Sequence, residues 1–307
     1  MLALVAAPGT SSGIKLEEVG EPEPSRDEAI VDVRCVSVNR GEVRMLGRAQ
    51  PGWRPGWDVA GVVSKPAGDG SGPPAGTRVV GIVRNGGWAQ RVAVPARQLA
   101  PLPEALTFAA ASALPVAGLT AYYTLAAGGL LLGKRVLITG ASGGVGRFAV
   151  QLAARARAHV IAVSANPERA RGLGELGANE IVHTLSSDGP PLDLILESAG
   201  GASLAAALLR VAPGGTIMSY GNSAQEPTTF DVSSFYSKGG NSLRGFLLFP
   251  VLAQGTAARD LGYLATLVAE RALDTQISLE ASWRDPAPVL KALMERKVTG
   301  KAVLHVD

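Results

Sequence analysis

The chain has 307 residues, of which 47% are hydrophobic and 18% are charged, and its formal net charge is +3. This composition indicates a folded protein of about two domains and excludes a disordered chain. The charge is close to neutral and no run of basic residues exceeds two, which argues against nucleic acid as the main partner.

Cysteine and histidine are scarce, with Cys35 alone and three histidines. These counts exclude a disulfide framework and any multi-thiolate zinc or iron–sulfur site. Cys35 lies on a strand of period two, so we interpret it as a small buried hydrophobe rather than a nucleophile. No signal-peptide pattern is present, and we expect a cytoplasmic protein.

Residues 1 to about 100 predict a β-rich domain, a partly open barrel or a sandwich, because short alternating runs are separated by Gly- and Pro-rich turns. The predicted strands are Leu2–Ala6, Glu28–Val38, Val59–Val63, Arg78–Val83 and Trp88–Val94. The uncharged stretch 105–132 is long enough to span a bilayer. Pro115 and three glycines within it favour two short buried helices instead.

Strands and helices then alternate, which predicts a doubly wound parallel sheet. The predicted strands are Arg135–Thr139, His159–Val163, Glu180–His183, Leu192–Leu196 and Gly215–Ser219, and the helices are Gly144–Arg157, Pro167–Leu176 and Ser203–Leu209. Two further helices, Ala257–Arg271 and Pro286–Glu295, precede a final strand Lys301–Val306 that we expect to return to the first domain. The predicted domains are therefore 1–115 with 257–307, and 116–256.

The most specific motif is the glycine loop Gly140-Ala-Ser-Gly-Gly-Val-Gly146, which follows a predicted strand and opens a predicted helix. In that context glycines let backbone amides approach a pyrophosphate, and the helix amino terminus favours its charge. The alternative is a tight turn without a ligand. We expect the loop to bind a dinucleotide through Gly140, Ser142, Gly143, Gly144, Val145 and Gly146.

The second strand of this sheet indicates NADP rather than NAD. An NAD site usually has a carboxylate at this strand end, where the chain has Ser164 and Asn166 instead. A hydroxyl and the guanidinium of Arg169 suit a 2′-phosphate. Arg169 as a solvated helix residue is the alternative.

Further cofactor contacts are expected where later strands end, because ligands of such sheets bind beyond the carboxyl ends of the strands. Ser198, Ala199 and Gly200 follow one strand, and Tyr220 and Gly221 follow another. Thr120, at the predicted domain boundary, has a hydroxyl that can reach the cofactor or bond its own helix.

Several collinear segments resemble the medium-chain dehydrogenase/reductase superfamily across essentially the whole chain. They are the glycine loop with its flanks, Asn39 after Val36-Ser37-Val38, Gly56-Trp57-Asp58 through Val63, Gly76–Val79, Gly86–Gln90, Leu114–Leu125, Asp193–Gly201 and Gly300–Leu304. The chain is most similar to the zinc-independent, quinone oxidoreductase-like branch. The resemblance implies a Rossmann domain with a GroES-like domain, bound NADPH and a homodimer.

The resemblance also implies the residues of the substrate side. Zinc-dependent members have Cys and His ligands at the positions of Asn39 and Trp57, and neither residue here can replace them. We therefore expect no metal, and a hydride transfer from NADPH to a quinone or an enone. Asn39, Trp57 and Asp58 are the predicted catalytic residues, and Phe246 and Leu247 resemble the segment that approaches the nicotinamide and continues into a dimer-pairing strand.

Alternatives remain for these residues and for the activity. Asn39 can be a turn residue, Trp57 a core side chain and Asp58 a structural acid. The Arg-rich segment Arg40–Pro55 is interpreted either as a solvated loop or as a lining for anionic acceptors. An enoyl reductase acting on a thioester, and a non-catalytic NADPH-binding sensor or scaffold, are the other functions considered.

Overall fold

A computed structural model describes residues 1–10, 12–253, 255 and 257–307. They form two units: unit 1 contains Met1–Leu119 and Phe249–Asp307, and unit 2 contains Thr120–Leu248. Thr256, at which the second predicted domain ends, lies outside the described residues.

The strands carry the labels used below. They are β1 Leu2–Ala6, β2 Ile14–Glu18, β3 Glu28–Val38, β4 Asp58–Lys65, β5 Arg78–Ile82, β6 Arg91–Pro95, β7 Leu99–Pro101, β8 Arg135–Ile138, β9 His159–Val163, β10 Glu180–Val182, β11 Leu192–Glu197, β12 Val211–Ser219, β13 Ser242–Gly245, β14 Ile277–Ser282 and β15 Lys301–His305.

The helices follow the same numbering along the chain. They are α1 Arg40–Leu46, α2 Phe108–Ser112, α3 Pro115–Ala126, α4 Gly144–Arg155, α5 Pro167–Ala170, α6 Gly201–Arg210, α7 Val232–Tyr236, α8 Leu248–Leu252, α9 Ala257–Ala269 and α10 Ala287–Met294. In the part of the chain described, no helix is long and apolar enough to cross a membrane.

Unit 1 is built on a largely antiparallel sheet in the order β14–β15–β3–β4–β5–β7, with β6 paired to β3. The long strand β3 is central because eight of its eleven residues are buried, and five of these are valine or isoleucine. The core beneath it contains the fully buried Trp88 and Trp283. The carboxy-terminal strand β15 lies between β3 and β14, so the end of the chain pairs with a strand from its first forty residues.

Unit 2 is a parallel sheet in the order β10–β9–β8–β11–β12–β13. Counted from β8, this is the 3-2-1-4-5-6 order of a doubly wound dinucleotide-binding sheet. Its strands β8, β9 and β11 are largely apolar, and Leu137, Ile161, Ile195 and Ile217 are among the side chains of its core. The predicted α/β fold class, with a Rossmann-type sheet and a second β-domain, is confirmed.

Four local predictions are wrong. The helix predicted over Pro167–Leu176 ends at Ala170, because Arg171 has a ψ of 138°, outside the helical range, and Gly172 has a φ of +83°. The segment predicted as a loop from Arg40 begins with α1. The strand predicted from Trp88 begins only at Arg91. A strand was expected after Leu247, but the strand of this segment, β13, ends before Leu247 and is followed by α8.

Candidate active site

The glycine loop lies at the switch point of the unit 2 sheet. It leaves β8, whose neighbours β9 and β11 are reached by connections running in opposite directions. In open α/β sheets this crevice beyond the strand ends is where ligands bind. The loop and the segment after β11 are therefore neighbours on the edge where a cofactor is expected.

The geometry of the loop fits a dinucleotide. Gly140 has a φ of +61°, a conformation that favours glycine, and its carbonyl accepts the amide of Gly143 at 2.9 Å. A Cβ on Gly146 would lie 2.5 Å from the Cα of Ala141, so only glycine fits there. Helix α4 begins at Gly144 and has twelve residues, so its first amides lack intrahelical partners and its dipole favours an anion.

Glu197 organises the segment that faces the glycine loop. Its fully buried carboxylate accepts the amides of Ala199 at 3.0 Å and Gly200 at 2.9 Å, and the hydroxyl of Ser203 at 2.9 Å. Such charge-assisted bonds hold a loop more firmly than neutral ones do. Glu197 was not among the predicted site residues, although an acid at the end of a largely apolar strand was a signal for it.

The ends of β8, β11 and β12 are joined by hydrogen bonds. The Ser198 amide donates to Thr139 Oγ1 at 2.8 Å, and the Tyr220 amide donates to the Glu197 carbonyl at 2.9 Å. A Cβ on Gly221 would lie 2.9 Å from the Ser198 carbonyl oxygen. Burial raises the pKa of the Tyr220 phenol, so the phenol is neutral. The predicted contact residues of these three loops thus share one edge of unit 2.

The predicted 2′-phosphate residues also lie together, at the end of β9. The side chain of Asn166 caps α5 by accepting the amides of Glu168 at 2.8 Å and Arg169 at 3.2 Å. Ser164 is buried, and Arg169 is half-buried. The guanidinium of Arg147 donates to the carbonyls of Arg169 and Arg171, which fixes this turn.

The remaining predicted cofactor contacts are more dispersed. Thr120 is buried on α3. The half-buried Phe246 follows β13, and its amide donates to the Ser219 carbonyl at 2.8 Å. Leu247 is 67% exposed. Roles for all three in cofactor binding stay predictions.

In unit 1, Asn39 and Asp58 are in direct contact. Asn39 Nδ2 donates to Asp58 Oδ2 at 2.8 Å, and the Ser37 hydroxyl donates to the same oxygen at 2.6 Å. The other oxygen, Oδ1, accepts the Val116 amide at 2.9 Å. Asp58 is fully buried, whereas Asn39 is half-buried, so Asn39 is the member of the pair that a ligand can reach.

Two charged residues that were not predicted as site residues complete this cluster. Lys301 is 3% exposed, and its Nζ lies 2.8 Å from Asn39 Oδ1 and 3.5 Å from Asp58 Oδ2. The fully buried Glu42 accepts the amides of Asn39 and Trp57, each at 2.6 Å. Burial, and then the charge of Asp58, raises the pKa of Glu42 to about 8.

Trp57 joins this cluster to an aromatic contact. Its ring meets Phe249 edge to face at a centroid distance of 5.3 Å, and Arg84 lies over Phe249 at 5.6 Å. A Cβ on Gly41 would lie 2.6 Å from the Trp57 ring, so α1 packs closely on the indole. Trp57 is half-buried, and its role in substrate binding stays a prediction.

Cys35 is buried, as predicted. Its Sγ lies 3.4 Å from Nδ1 of His305, whose Nε2 lies 2.7 Å from Glu280. Burial raises the pKa of the thiol to about 11. Within the described ranges, no group of three His, Cys, Asp or Glu side chains is placed to hold a metal ion.

Two family models match the chain. The alcohol dehydrogenase GroES-like domain matches residues 25–104, and the zinc-binding dehydrogenase domain matches residues 144–259. Prostaglandin reductase-3 of Bos taurus is 30% identical over 93% of this chain and 83% of that protein. The chain belongs to the medium-chain dehydrogenase/reductase superfamily.

The chain is also similar to quinone oxidoreductases, the branch that its motifs resemble. The chloroplastic quinone-oxidoreductase QR1 of Triphysaria versicolor is 34% identical over 60% of each chain. The Escherichia coli quinone oxidoreductase, solved as a complex with NADPH, has the same fold, with a TM-score of 0.89 and 21% identity over the whole of both chains.

One superfamily relative is much longer than this chain. A mycocerosic acid synthase-like polyketide synthase of Mycobacterium tuberculosis is 33% identical over 71% of this chain, but the match spans only 11% of the synthase. The prediction of an oxidoreductase of the medium-chain superfamily is confirmed, with the Rossmann-type and GroES-like parts both present.

Proposed function

We propose that this chain reduces quinones or enones with NADPH and that it does so without zinc. The observation that carries the proposal is the glycine loop at the switch point of unit 2, where only glycine fits at residue 146 and α4 directs its amides outward. The complex of the Escherichia coli enzyme with NADPH supports the choice of cofactor.

The residues of unit 2 fit the parts of this cofactor. The amides of Gly144 and Val145 would hold the pyrophosphate, and Ser198 to Gly200 would contact the ribose next to the nicotinamide. Arg169 would pair with the 2′-phosphate, since no carboxylate follows β9 directly to repel it. When bound, NADPH supplies a hydride.

The residues of unit 1 fit a carbonyl-bearing acceptor. An enone that accepts hydride at its β carbon moves an electron pair to the carbonyl oxygen, and the resulting enolate takes a proton from water. A polar group near that oxygen stabilises the new charge, and the half-buried amide of Asn39 is the predicted contact. Zinc independence is supported because neither Asn39 nor Trp57 is a usual zinc ligand.

A titration of the purified protein with NADPH and with NADH tests the cofactor. We expect NADPH to bind at least tenfold more tightly, a difference of about 1.4 kcal/mol. Arg169→Ala should remove most of that preference, whereas Arg171→Ala, two residues along and exposed, should keep it. Equal affinity for both cofactors would refute the 2′-phosphate assignment, and binding of neither would refute the proposal.

The polyketide synthase relative favours a second candidate, enoyl reduction of a thioester. Parallel assays with a naphthoquinone, a simple enone and a crotonyl thioester separate the two activities. Turnover of the quinone or the enone supports the first proposal, and turnover of the thioester alone supports the second. Tight NADPH binding without turnover of any of the three would support a non-catalytic protein. Full activity after exhaustive chelation would support zinc independence.

A further inference from the structure

The side chain of Asn39 has partners that leave it only one orientation. Its two amide ends look alike in shape, but an ammonium can only donate and a carboxylate can only accept. Lys301 Nζ, at 2.8 Å, must therefore face Oδ1, and Asp58 must face Nδ2. A flipped amide would set a donor against the ammonium and an acceptor against the carboxylate.

The strand register of unit 1 builds this arrangement. On β3, Val38 pairs with Ala302 of β15, and Ser37 pairs with Asp58 of β4. Asn39 directly follows β3, so it lies between Lys301 on one neighbouring strand and Asp58 on the other. Both charged side chains are at least 97% buried, so water hardly screens their effect on the amide.

The bonds made by Asn39 leave one donor available. Oδ1 accepts from Lys301, one hydrogen of Nδ2 goes to Asp58, and the second has no partner among the described residues. The positive charge on the oxygen side draws electron density through the amide and strengthens the remaining N–H as a donor. A carbonyl oxygen that becomes an oxyanion during reduction matches such a donor.

We propose that Lys301 is a positioning residue that, together with Asp58, holds Asn39 as a dedicated hydrogen-bond donor to the carbonyl oxygen of the acceptor and strengthens that donor through its charge. The inference rests on the proposed reductase function and names the part of the acceptor that this site recognises. Lys301 acts through Asn39 and does not itself touch the acceptor.

The first test is kinetic and uses Lys301→Met, which keeps the length of the side chain and removes its charge. We expect kcat with a quinone or an enone to fall 10- to 100-fold while the Kd for NADPH changes less than twofold. Lys297→Met removes an exposed lysine four residues away and should leave both constants unchanged.

A second variant separates positioning from stability, because Lys301→Met leaves the carboxylate of Asp58 buried without its ammonium. Lys301→Met/Asp58→Asn restores the charge balance and should recover most of the lost thermal stability. Its kcat should remain at least tenfold low, because the charge of Lys301 that strengthens the Asn39 donor is still absent. A kcat that recovers with stability would overturn the positioning role.

A third readout does not depend on turnover. In ¹⁵N–¹H spectra with NADP⁺ present, a naphthoquinone should shift one of the two Nδ2 hydrogens of Asn39 in the wild type, and this shift should be smaller in Lys301→Met because the charge that strengthens the donor is gone. A wild type that shows the shift without turnover refutes the proposed function and supports the inference. A wild type that reduces acceptors while Lys301→Met keeps its kcat refutes only the inference, and a wild type that shows neither effect refutes both.

Discussion

At the scale of single residues, the burial of Glu42 makes the free energy of unfolding depend on pH. Its carboxylate has no exposed surface and lies near Asp58, and both effects raise its pKa from 4.5 to about 8. The unfolded chain releases this proton near pH 4.5, whereas the folded protein holds it up to about pH 8. The stability that this group contributes is therefore complete below pH 4.5 and is lost as the pH rises towards 8.

The corresponding prediction concerns Glu42→Gln. The free energy of unfolding of the wild type should fall as the pH rises from about 5 to 8, because the unfolded chain releases the Glu42 proton that the folded chain holds. Glu42→Gln removes the titration, so its stability should vary less with pH, even if the lost acceptor lowers stability throughout. Urea denaturation at several pH values measures both curves, and parallel curves would show that Glu42 does not titrate in this range.

A second prediction at this scale concerns the reactivity of the Cys35 thiol. Because burial raises the pKa of its thiol from 9.0 to about 11, the thiolate fraction near pH 8 should be about 100-fold lower than that of an ordinary thiol. The native protein should react with a disulfide reagent at least 100-fold more slowly than the unfolded chain does. Equal rates would contradict both the burial and the interpretation of Cys35 as a core side chain.

At the scale of elements, the turn between β8 and α4 depends on the missing side chain of Gly146. Gly146→Ala would drive a Cβ into the backbone of the loop, so we expect NADPH affinity to fall at least 100-fold. Gly174→Ala is the matched control, because Gly174 is exposed and its Cβ would meet nothing within 4 Å. Circular dichroism would show whether the variant still folds. Unchanged NADPH affinity would contradict the assignment of this loop to the cofactor site.

The elements that could be predicted from the sequence are those with a strong period. Glu28–Val38 and His159–Val163 match their predicted limits, because alternation and an unbroken apolar run leave little choice of conformation. The predicted helix after Asn166 was too long, because its apolar pattern continues past Gly172 while the backbone turns there. The pattern of apolar residues does not indicate at which glycine the backbone adopts a positive φ.

The site was predictable only in part, for a related reason. The glycine loop is a local signal, and its strand and helix context can be read along the chain. Lys301 lies 262 residues from Asn39, and nothing in the sequence states that they meet. The signal was a lysine directly before the apolar run Ala302–Leu304, and only the pairing of β15 with β3 brings it to Asn39.

At the scale of the whole molecule, β13 suggests how the predicted homodimer would form. It is the edge strand of the unit 2 sheet, and it exposes Leu243, with Leu247 just beyond its end. An open edge with apolar side chains is suited to pairing with a second copy. Leu243→Lys should shift the protein towards monomer in sedimentation velocity, whereas Leu132→Lys, at an exposed leucine in a loop, should not. A monomeric wild type would refute the homodimer prediction.

The place of β15 in the sheet has a consequence for synthesis on the ribosome. Unit 2 is one uninterrupted stretch, whereas the sheet of unit 1 needs β14 and β15 from the far end of the chain. Domains generally fold as they emerge, with the earliest made folding first. Here the order is reversed. A nascent chain can complete the nucleotide-binding unit before β15, the strand that carries Lys301, has been translated and can pair with β3.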